Sequence, residues 1–294
     1  MRVFVTGATG FIGSAIVREL IDAGHLAVGL ARSDKAAKAL VSAGAEVHRG
    51  SLEDLDSLRR GAEACDGVVH TGFIHDFSDL AGACEKDYRA IETIGEVLKG
   101  SNRPFVVTSV VTVHKPGVLA RENDRPFPGS PGTPRIASEE TAHALAVHGV
   151  RSCVVRLAPC VHDESRQGFA TQLADIAKNK GTSAYIGEGM NHWTAVHRQD
   201  AAKLYRLALE SAPAGSYLHG VGEEGILFRE IAEAISKRYD LPAMSISQEE
   251  ASRHFEWFVP FALSDNPISN EMTKELLGWK PTGPSLVEDI LNCQ

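Results

Sequence analysis

Two hydrophobic periods alternate along the first half of the chain. Short apolar runs bounded by glycine or polar residues mark strands buried on both faces. Between them, apolar residues recur every three or four positions, the mark of helices with one buried face. Met1-Arg2-Val3-Phe4-Val5-Thr6 reads as a first strand, followed by Gly7-Ala8-Thr9-Gly10-Phe11-Ile12-Gly13 and by a helix with Ile12, Ile16, Val17 and Leu20 on one face. Val28-Gly29-Leu30 ends a second strand, and the pattern then predicts helix over 35–42, strand over 45–48, helix over 52–60, strand over 66–70 and helix over 80–98. Strand over 104–108, helix over 136–147 and strand over 150–157 follow. Repeated strand–helix units of this kind predict a parallel sheet with helices on both faces.

The alternation loosens after about residue 163, and a Pro/Gly-rich loop covers 115–134. Helix 199–211 and strand 216–221 are expected to return to the main sheet. The expected organisation is a dinucleotide-binding domain over 1–162, completed by about 196–221, with 163–195 and 222–294 forming a small substrate lobe. The opening strand–glycine turn–helix is the unit with which a Rossmann fold holds a dinucleotide pyrophosphate. Gly7 permits the tight turn, Gly10 lets the backbone approach the phosphates, and Gly13 lets the helix pack close to the strand. The unpaired N–H groups and positive dipole end of that helix face the anion. The expected class is therefore α/β, a Rossmann doubly wound parallel sheet plus a small C-terminal substrate lobe.

Composition narrows the partners more than the fold. The 294 residues are 43% hydrophobic and 23% charged, with a formal net charge of −8. Without a basic run, nucleic acid is not an expected partner. No apolar run reaches the ~18 residues that a membrane helix needs, and the first strand leaves no room for a signal peptide. The five cysteines, Cys65, Cys84, Cys153, Cys160 and Cys293, are odd in number and form no CxxC pair. That usage fits reduced thiols, so a soluble cytoplasmic protein is expected. Twelve histidines occur without HExxH or comparable ligand spacing, so no metal site is expected.

The segment Thr6-Gly7-Ala8-Thr9-Gly10-Phe11-Ile12-Gly13 resembles the TGxxGxxG signature of extended and atypical short-chain dehydrogenases/reductases, the NAD-dependent epimerase/dehydratase-like proteins. Arg49-Gly50-Ser51-Leu52 resembles that family's GDL turn beside the adenine, with Ser51 in place of Asp. Val68-Val69-His70-Thr71-Gly72 is similar to its VIHLA strand, 195–202 to its VHVDDVA segment, and Leu277-Gly278-Trp279-Lys280-Pro281 to its LGWxP. The resemblance spans nearly the whole chain. It implies that Gly7, Thr9, Gly10, Phe11, Ile12 and Gly13 cradle the pyrophosphate and that Ser51 and Leu52 flank the adenine. It also implies that Thr71 and Gly72 run along the ribose and pyrophosphate, that Pro159, Cys160 and Val161 pack against the nicotinamide, and that the chain is a homodimer.

The residues after the second strand point to the nicotinamide cofactor. An acid there binds the 2′-hydroxyl of NAD, whereas an arginine accommodates the 2′-phosphate of NADP. The strand ends Leu30-Ala31-Arg32-Ser33. Arg32, assisted by Ser33 and Lys35, makes NADP(H) the preferred expectation. Asp34 keeps NAD(H) as the alternative, and the competing role for Ser33 or Asp34 is to cap the next helix.

The catalytic set departs from the family. The usual Tyr and the Lys four residues later fall on Arg135 and Glu139, and no tyrosine lies between Tyr88 and Tyr185. The usual Ser falls on Val110, flanked by Ser109 and Thr112. Candidate replacements at strand ends are Ser109, Thr112, His114 and Arg135, with His75 and His162 beside them. A plain Arg135–Glu139 i,i+4 ion pair is the structural alternative. His75-Asp76 is a candidate acid/base pair. His75, His162 and Trp193 are expected to line the substrate pocket, Trp193 with a core role as its equal alternative, and Cys160 reads as packing rather than as a nucleophile. The aromatics Phe255, Trp257, Phe258 and Phe261 point to an apolar small-molecule substrate. The function expected is an NADP(H)-dependent oxidoreductase that moves hydride to or from a carbonyl or hydroxyl carbon. The alternatives are an NADP-binding sensor without redox activity and a non-redox isomerase or lyase that retains the cofactor.

Overall fold

A computed structural model describes residues 1–76, 78–165 and 167–292. Cys293, and Phe77 of the loop after the fourth strand, lie outside the described residues. The first half runs β1 (Arg2–Thr6), α1 (Phe11–Asp22), β2 (Leu26–Ala31), α2 (Asp34–Ser42), β3 (Glu46–Arg49), α3 (Leu55–Glu63), β4 (Gly67–His70), α4 (Leu80–Leu98), β5 (Pro104–Val110), α5 (Ile136–Ala144) and β6 (Arg151–Leu157). The second half runs β7 (Cys160–His162), α6 (Phe169–Lys180), β8 (Ser183–Ile186), β9 (His192–His197), α7 (Arg198–Ser211), β10 (Ser216–Gly220), β11 (Glu223–Leu227), α8 (Phe228–Tyr239), β12 (Ala243–Ile246), α9 (Gln248–Phe255), α10 (Val259–Ala262), α11 (Glu271–Leu277) and α12 (Leu286–Asn292).

Seven strands form one sheet in the order β10-β6-β5-β4-β1-β2-β3, and every pair in it is parallel. The period-two pattern decides which face each residue takes. Val3 and Val5 pack with Ile16 and Leu20 of α1 and with Leu204 and Tyr205 of α7. Phe4, between them, packs with Leu58, Ile91, Ile94 and Phe105 on the opposite face, under α3, α4 and α5. Strand order reverses at β1, so the crevice at the carboxyl ends of β1 and β4 is where such a sheet takes a ligand.

Two helices differ from the pattern-based bounds. α3 starts at Leu55 rather than 52, because the Asp54 side chain accepts the Ser57 amide (3.0 Å) and caps it there. α5 gives way to a tight 3₁₀ turn at Leu145, which stops at Gly149 with φ 73°.

The smaller lobe is built on the sheet β11-β9-β7, the pair β12-β8, and helices α6, α8 and α9. Its core holds Trp193, Phe228, Phe255 and Phe258. The C-terminal stretch divides: Leu286 and Ile290 of α12 pack in the lobe core, but the segment before them does not. Ile268, Leu277 and Trp279 are buried in the same core as Val3 and Tyr205, and the Trp279 indole donates to the Asp200 carbonyl (2.9 Å). Among the described residues, no helix is long and apolar enough to cross a membrane.

Candidate dinucleotide and substrate site

The glycine turn is shaped by contacts that no side chain would survive. Gly7 has φ 67°, and a Cβ there would lie 2.8 Å from the Gly72 amide nitrogen. A Cβ on Gly13 would lie 2.0 Å from the Gly7 carbonyl oxygen. The backbone of β1 therefore touches both the loop after β4 and the first turn of α1. Gly10 is the N-cap of α1, and no side chain caps the helix, so its first N–H groups and its dipole are available to an anion. Thr9 is exposed on the turn, and Phe11 and Ile12 are half-buried in the first helical turn. Arg198, at the start of α7, adds a cation. It donates to the Phe11 carbonyl (2.6 Å) and the Ser14 hydroxyl (2.8 Å), pairs with Asp163 (2.8 Å) and stacks on the Phe11 ring (4.6 Å). These residues fit a dinucleotide pyrophosphate.

At the far end, Arg32 is exposed and makes no hydrogen bond or ion pair among the described residues. Ser33 caps α2 by accepting the Ala36 amide (3.2 Å), the competing role foreseen for it. Asp34, the acid that kept NAD in view, is paired with Arg49 (2.6 Å). Ser51 accepts the Asp54 amide (3.3 Å), and Leu52 lies over Gly72, where a Cβ would come within 3.0 Å of it. Thr71 donates its hydroxyl to the Thr6 carbonyl (2.8 Å), and the Gly72 amide donates to the Thr6 hydroxyl (3.1 Å). Thr71, Gly72 and Leu52 thus come together beside the cradle, with Ser51 next to Leu52 in the chain.

Arg135 does not pair with Glu139, correcting the i,i+4 reading. It sits at the start of α5, 9% exposed, with its guanidinium donating to the Thr108 carbonyl (2.7 Å) and lying 3.5 Å from Asp87. The ring of Phe73 covers it at 4.2 Å. Behind it runs a buried polar chain that the sequence reading missed. The Thr6 hydroxyl meets His70 Nδ1 (2.8 Å), and His70 Nε2 meets Asp87 (3.2 Å). The ionised Asp87 carboxylate can only accept, so Nε2–H donates to it, and Nδ1 then accepts the Thr6 hydroxyl. Burial works to raise the Asp87 carboxyl, but Arg135 and His70 outweigh it and hold it below the ordinary range. A signal for Asp87 was present: it lies at helical spacing among Ala83, Cys84, Ala90, Ile91 and Ile94, the buried face of α4.

Glu139, in the lysine position, is fully buried against Arg156 (2.6 Å). The Arg156 guanidinium also contacts His114 (3.2 Å) and stacks on Tyr217 (4.1 Å), and it donates to the carbonyls of Glu122 (2.9 Å) and Asp124 (3.1 Å). His114 is therefore corrected from catalytic candidate to core residue. It is 3% exposed, meets His219 (3.1 Å), and burial with the Arg156 charge lowers it to about 4. Its imidazole stays neutral at pH 7 inside the packing. Ser109 shares this side of β5, opposite Arg156 in the strand register, and its buried hydroxyl has no hydrogen-bond partner among the described residues. Thr112 is half-buried in a 3₁₀ turn and accepts the Gly132 amide through its carbonyl (2.9 Å).

Other site expectations are placed as follows. Trp193 lines no pocket mouth: it is 2% exposed, packs on Phe228 and donates its indole N–H to the Phe261 carbonyl (3.0 Å). Cys160, though it follows β6, buries its side chain in the lobe core, where desolvation pushes the thiol up to about 12. Pro159 is half-buried and Val161 packs with the main core. His75-Asp76 is not an acid/base pair, because the Asp76 carboxylate takes the Ser78 hydroxyl (2.5 Å) and amide (3.0 Å). His162 is buried between Asp289 (2.6 Å) and Glu223 (3.6 Å) and lines a small pocket with Asp163, Ser165, Gln167 and Tyr239. Phe255 and Phe258 belong to the lobe core rather than to a substrate wall.

Residues 3–219 match the sequence model of the NAD dependent epimerase/dehydratase family. An uncharacterized protein of Schizosaccharomyces pombe is 51% identical over 292 residues, covering 99% of this chain and 98% of its own. The sterol-4-alpha-carboxylate 3-dehydrogenase, decarboxylating, of Dictyostelium discoideum is 27% identical over 243 residues, 78% of this chain and 73% of its own. The structure of UDP-glucuronic acid 4-epimerase from Bacillus cereus, solved with UDP-glucuronic acid and NAD, superposes with a TM-score of 0.79 at 18% identity, over 100% of this chain and 98% of that one. At that identity the likeness is one of fold.

Proposed function

The chain belongs to the NAD dependent epimerase/dehydratase family of nicotinamide-dependent oxidoreductases, and we propose that it is an NADP(H)-preferring reductase or dehydrogenase acting on a small carbonyl or hydroxyl compound. The observation that carries the cofactor choice is Arg32. It stands exposed at the end of β2 without an ion pair among the described residues, while the nearby Asp34 is committed to Arg49. A planar guanidinium there suits a 2′-phosphate bidentately and stacks on an adenine. Glu53, whose charge lies near Arg32, is already paired with Lys86 (2.8 Å).

When bound, the nicotinamide supplies or accepts the hydride. The glycine turn and the open end of α1 hold the pyrophosphate, and Arg198 adds positive charge beside them. Arg135 places a permanent charge at the family's tyrosine position. Val110 and Phe73, both half-buried at the strand ends, favour an apolar substrate surface.

Fluorescence titration tests the cofactor reading: NADPH binds more tightly than NADH, and Arg32→Asp reverses the order. Tighter NADH binding to the unaltered chain overturns it. NADPH oxidation with a panel of aliphatic and aromatic ketones tests turnover. The second reading, a dinucleotide sensor without redox activity, draws support from Glu139, which fills the lysine position but is sealed against Arg156. Tight NADPH binding with no turnover across the panel selects that reading.

A further inference from the structure

We propose that Arg135 and His75 together replace the absent Tyr–Lys pair, Arg135 holding the charge of the reacting oxygen and His75 carrying its proton. This rests on the redox reading above. The two side chains come from different elements and meet at Phe73. The Arg135 guanidinium carbon lies 4.2 Å from the Phe73 ring centre, and the His75 ring meets the same ring edge-on at 5.3 Å. The loop that carries Phe73 and His75 begins at Thr71–Gly72, the backbone that Gly7 touches, so the pair stands at the carboxyl edge of the sheet, one loop from the dinucleotide cradle.

The division of labour follows from chemistry. A guanidinium does not release its proton in a protein, so Arg135 cannot do what a tyrosine hydroxyl does. Its charge is fixed in place by Asp87 and the Thr108 carbonyl, and fixed charge is what stabilises a developing alkoxide. Proton transfer needs a group that titrates near neutrality, which an imidazole does. Although the residue as a whole is exposed, partial desolvation of its ring and then the Arg135 charge lower His75 from its usual value, so the imidazole is neutral at pH 7 and free to accept a proton. The other ionisable groups around the pair are Asp87 and Cys84 of α4, His70 of β4, Tyr205 of α7 and, on the His75 loop, Asp76.

In the oxidative direction the substrate O–H bond breaks and its proton passes to His75. The hydride leaves the same carbon for the oxidised nicotinamide, and the C–O bond becomes C=O. His75, exposed on its loop, then returns the proton to solvent. The reductive direction reverses each transfer.

Proton NMR of the His75 ring in the full chain, assigned with His75→Gln, tests the arrangement. The wild-type titration midpoint is expected below the ordinary histidine value. Arg135→Gln moves it up by about half a pH unit or more, as loss of a neighbouring charge requires, and Arg135→Lys leaves it low. Titration with NADP⁺ shifts the His75 signal with the same midpoint as dinucleotide binding. In the ketone assay, His75→Gln lowers kcat by about 10²-fold or more with the NADPH affinity within about twofold. A His75 midpoint indifferent to both Arg135 variants, a signal blind to bound NADP⁺, or an unchanged kcat overturns the proposal. Failure of the wild-type chain to bind NADP(H) instead removes the redox reading on which it rests.

Discussion

At the scale of single residues, steric facts decide more than residue type does. Gly13 has no room for a methyl group, so Gly13→Ala forces α1 away from β1. Dinucleotide affinity should fall at least about tenfold, a loss of roughly 1.4 kcal/mol or more, read by fluorescence titration beside a thermal melt. The need for glycine there was legible from the TGxxGxxG spacing, because the reason is backbone proximity. The fate of the cysteines was legible only in part. Desolvation pushes Cys153 and Cys160 to about 12 and Cys65 to about 11, which leaves almost no thiolate at neutral pH. All three should resist iodoacetamide in the native protein and react in denaturant, as peptide mass spectrometry would show. Rapid native labelling of Cys160 would contradict its place in the lobe core. Arg135 and Glu139 lie four apart in sequence, as a helix pair would, yet each turns to a different buried partner.

Among the elements, α5 and β6 are joined through ionic contacts that no periodicity reveals. Arg156 and Glu139 are both fully buried. Removing one charge strands the other, so Arg156→Met is expected to cost about 3–5 kcal/mol in urea unfolding. Arg156→Met combined with Glu139→Leu should recover much of that loss. The same cluster gives a pH dependence. His114 titrates at about 4 and His219 at about 3 in the folded chain, both lowered by burial first. The unfolded chain takes up these protons near the ordinary value of ~6.5, so it binds more protons than the folded chain below that pH. Stability is therefore full above about pH 6.5 and falls as pH drops toward the folded values, by about 1.4 kcal/mol per histidine and pH unit. His219→Gln should flatten that decline in melts recorded from pH 7 to pH 4. An unaltered slope would place the acid sensitivity elsewhere.

Across the whole molecule, the C-terminal stretch ties the lobe back to the main sheet. Glu122 accepts the Thr273 amide and hydroxyl (both 2.7 Å), His219 donates to the Ser269 carbonyl (2.7 Å), and Asp200 accepts the amides of Thr282 (2.9 Å) and Gly283 (2.6 Å). Trp279, 1% exposed, fills the core beneath them. Trp279→Ala should cost about 3–5 kcal/mol, with fluorescence and circular dichroism losing coincidence if the lobe then unfolds separately. The alternating hydrophobic periods of the first half determined the strands, most helix bounds, the parallel sheet and the glycine cradle. Those features are local: each depends on a face, a turn or a backbone approach encoded within a few residues. What only the tertiary structure decided was the pairing of charges. Asp87 with Arg135 and Arg156 with Glu139 set aside the Arg135–Glu139 pairing that the spacing suggested, and Asp34 pairs with Arg49. Sequence spacing shows which residues can share a face, whereas ion pairing depends on distances of a few ångströms set by how separate elements pack.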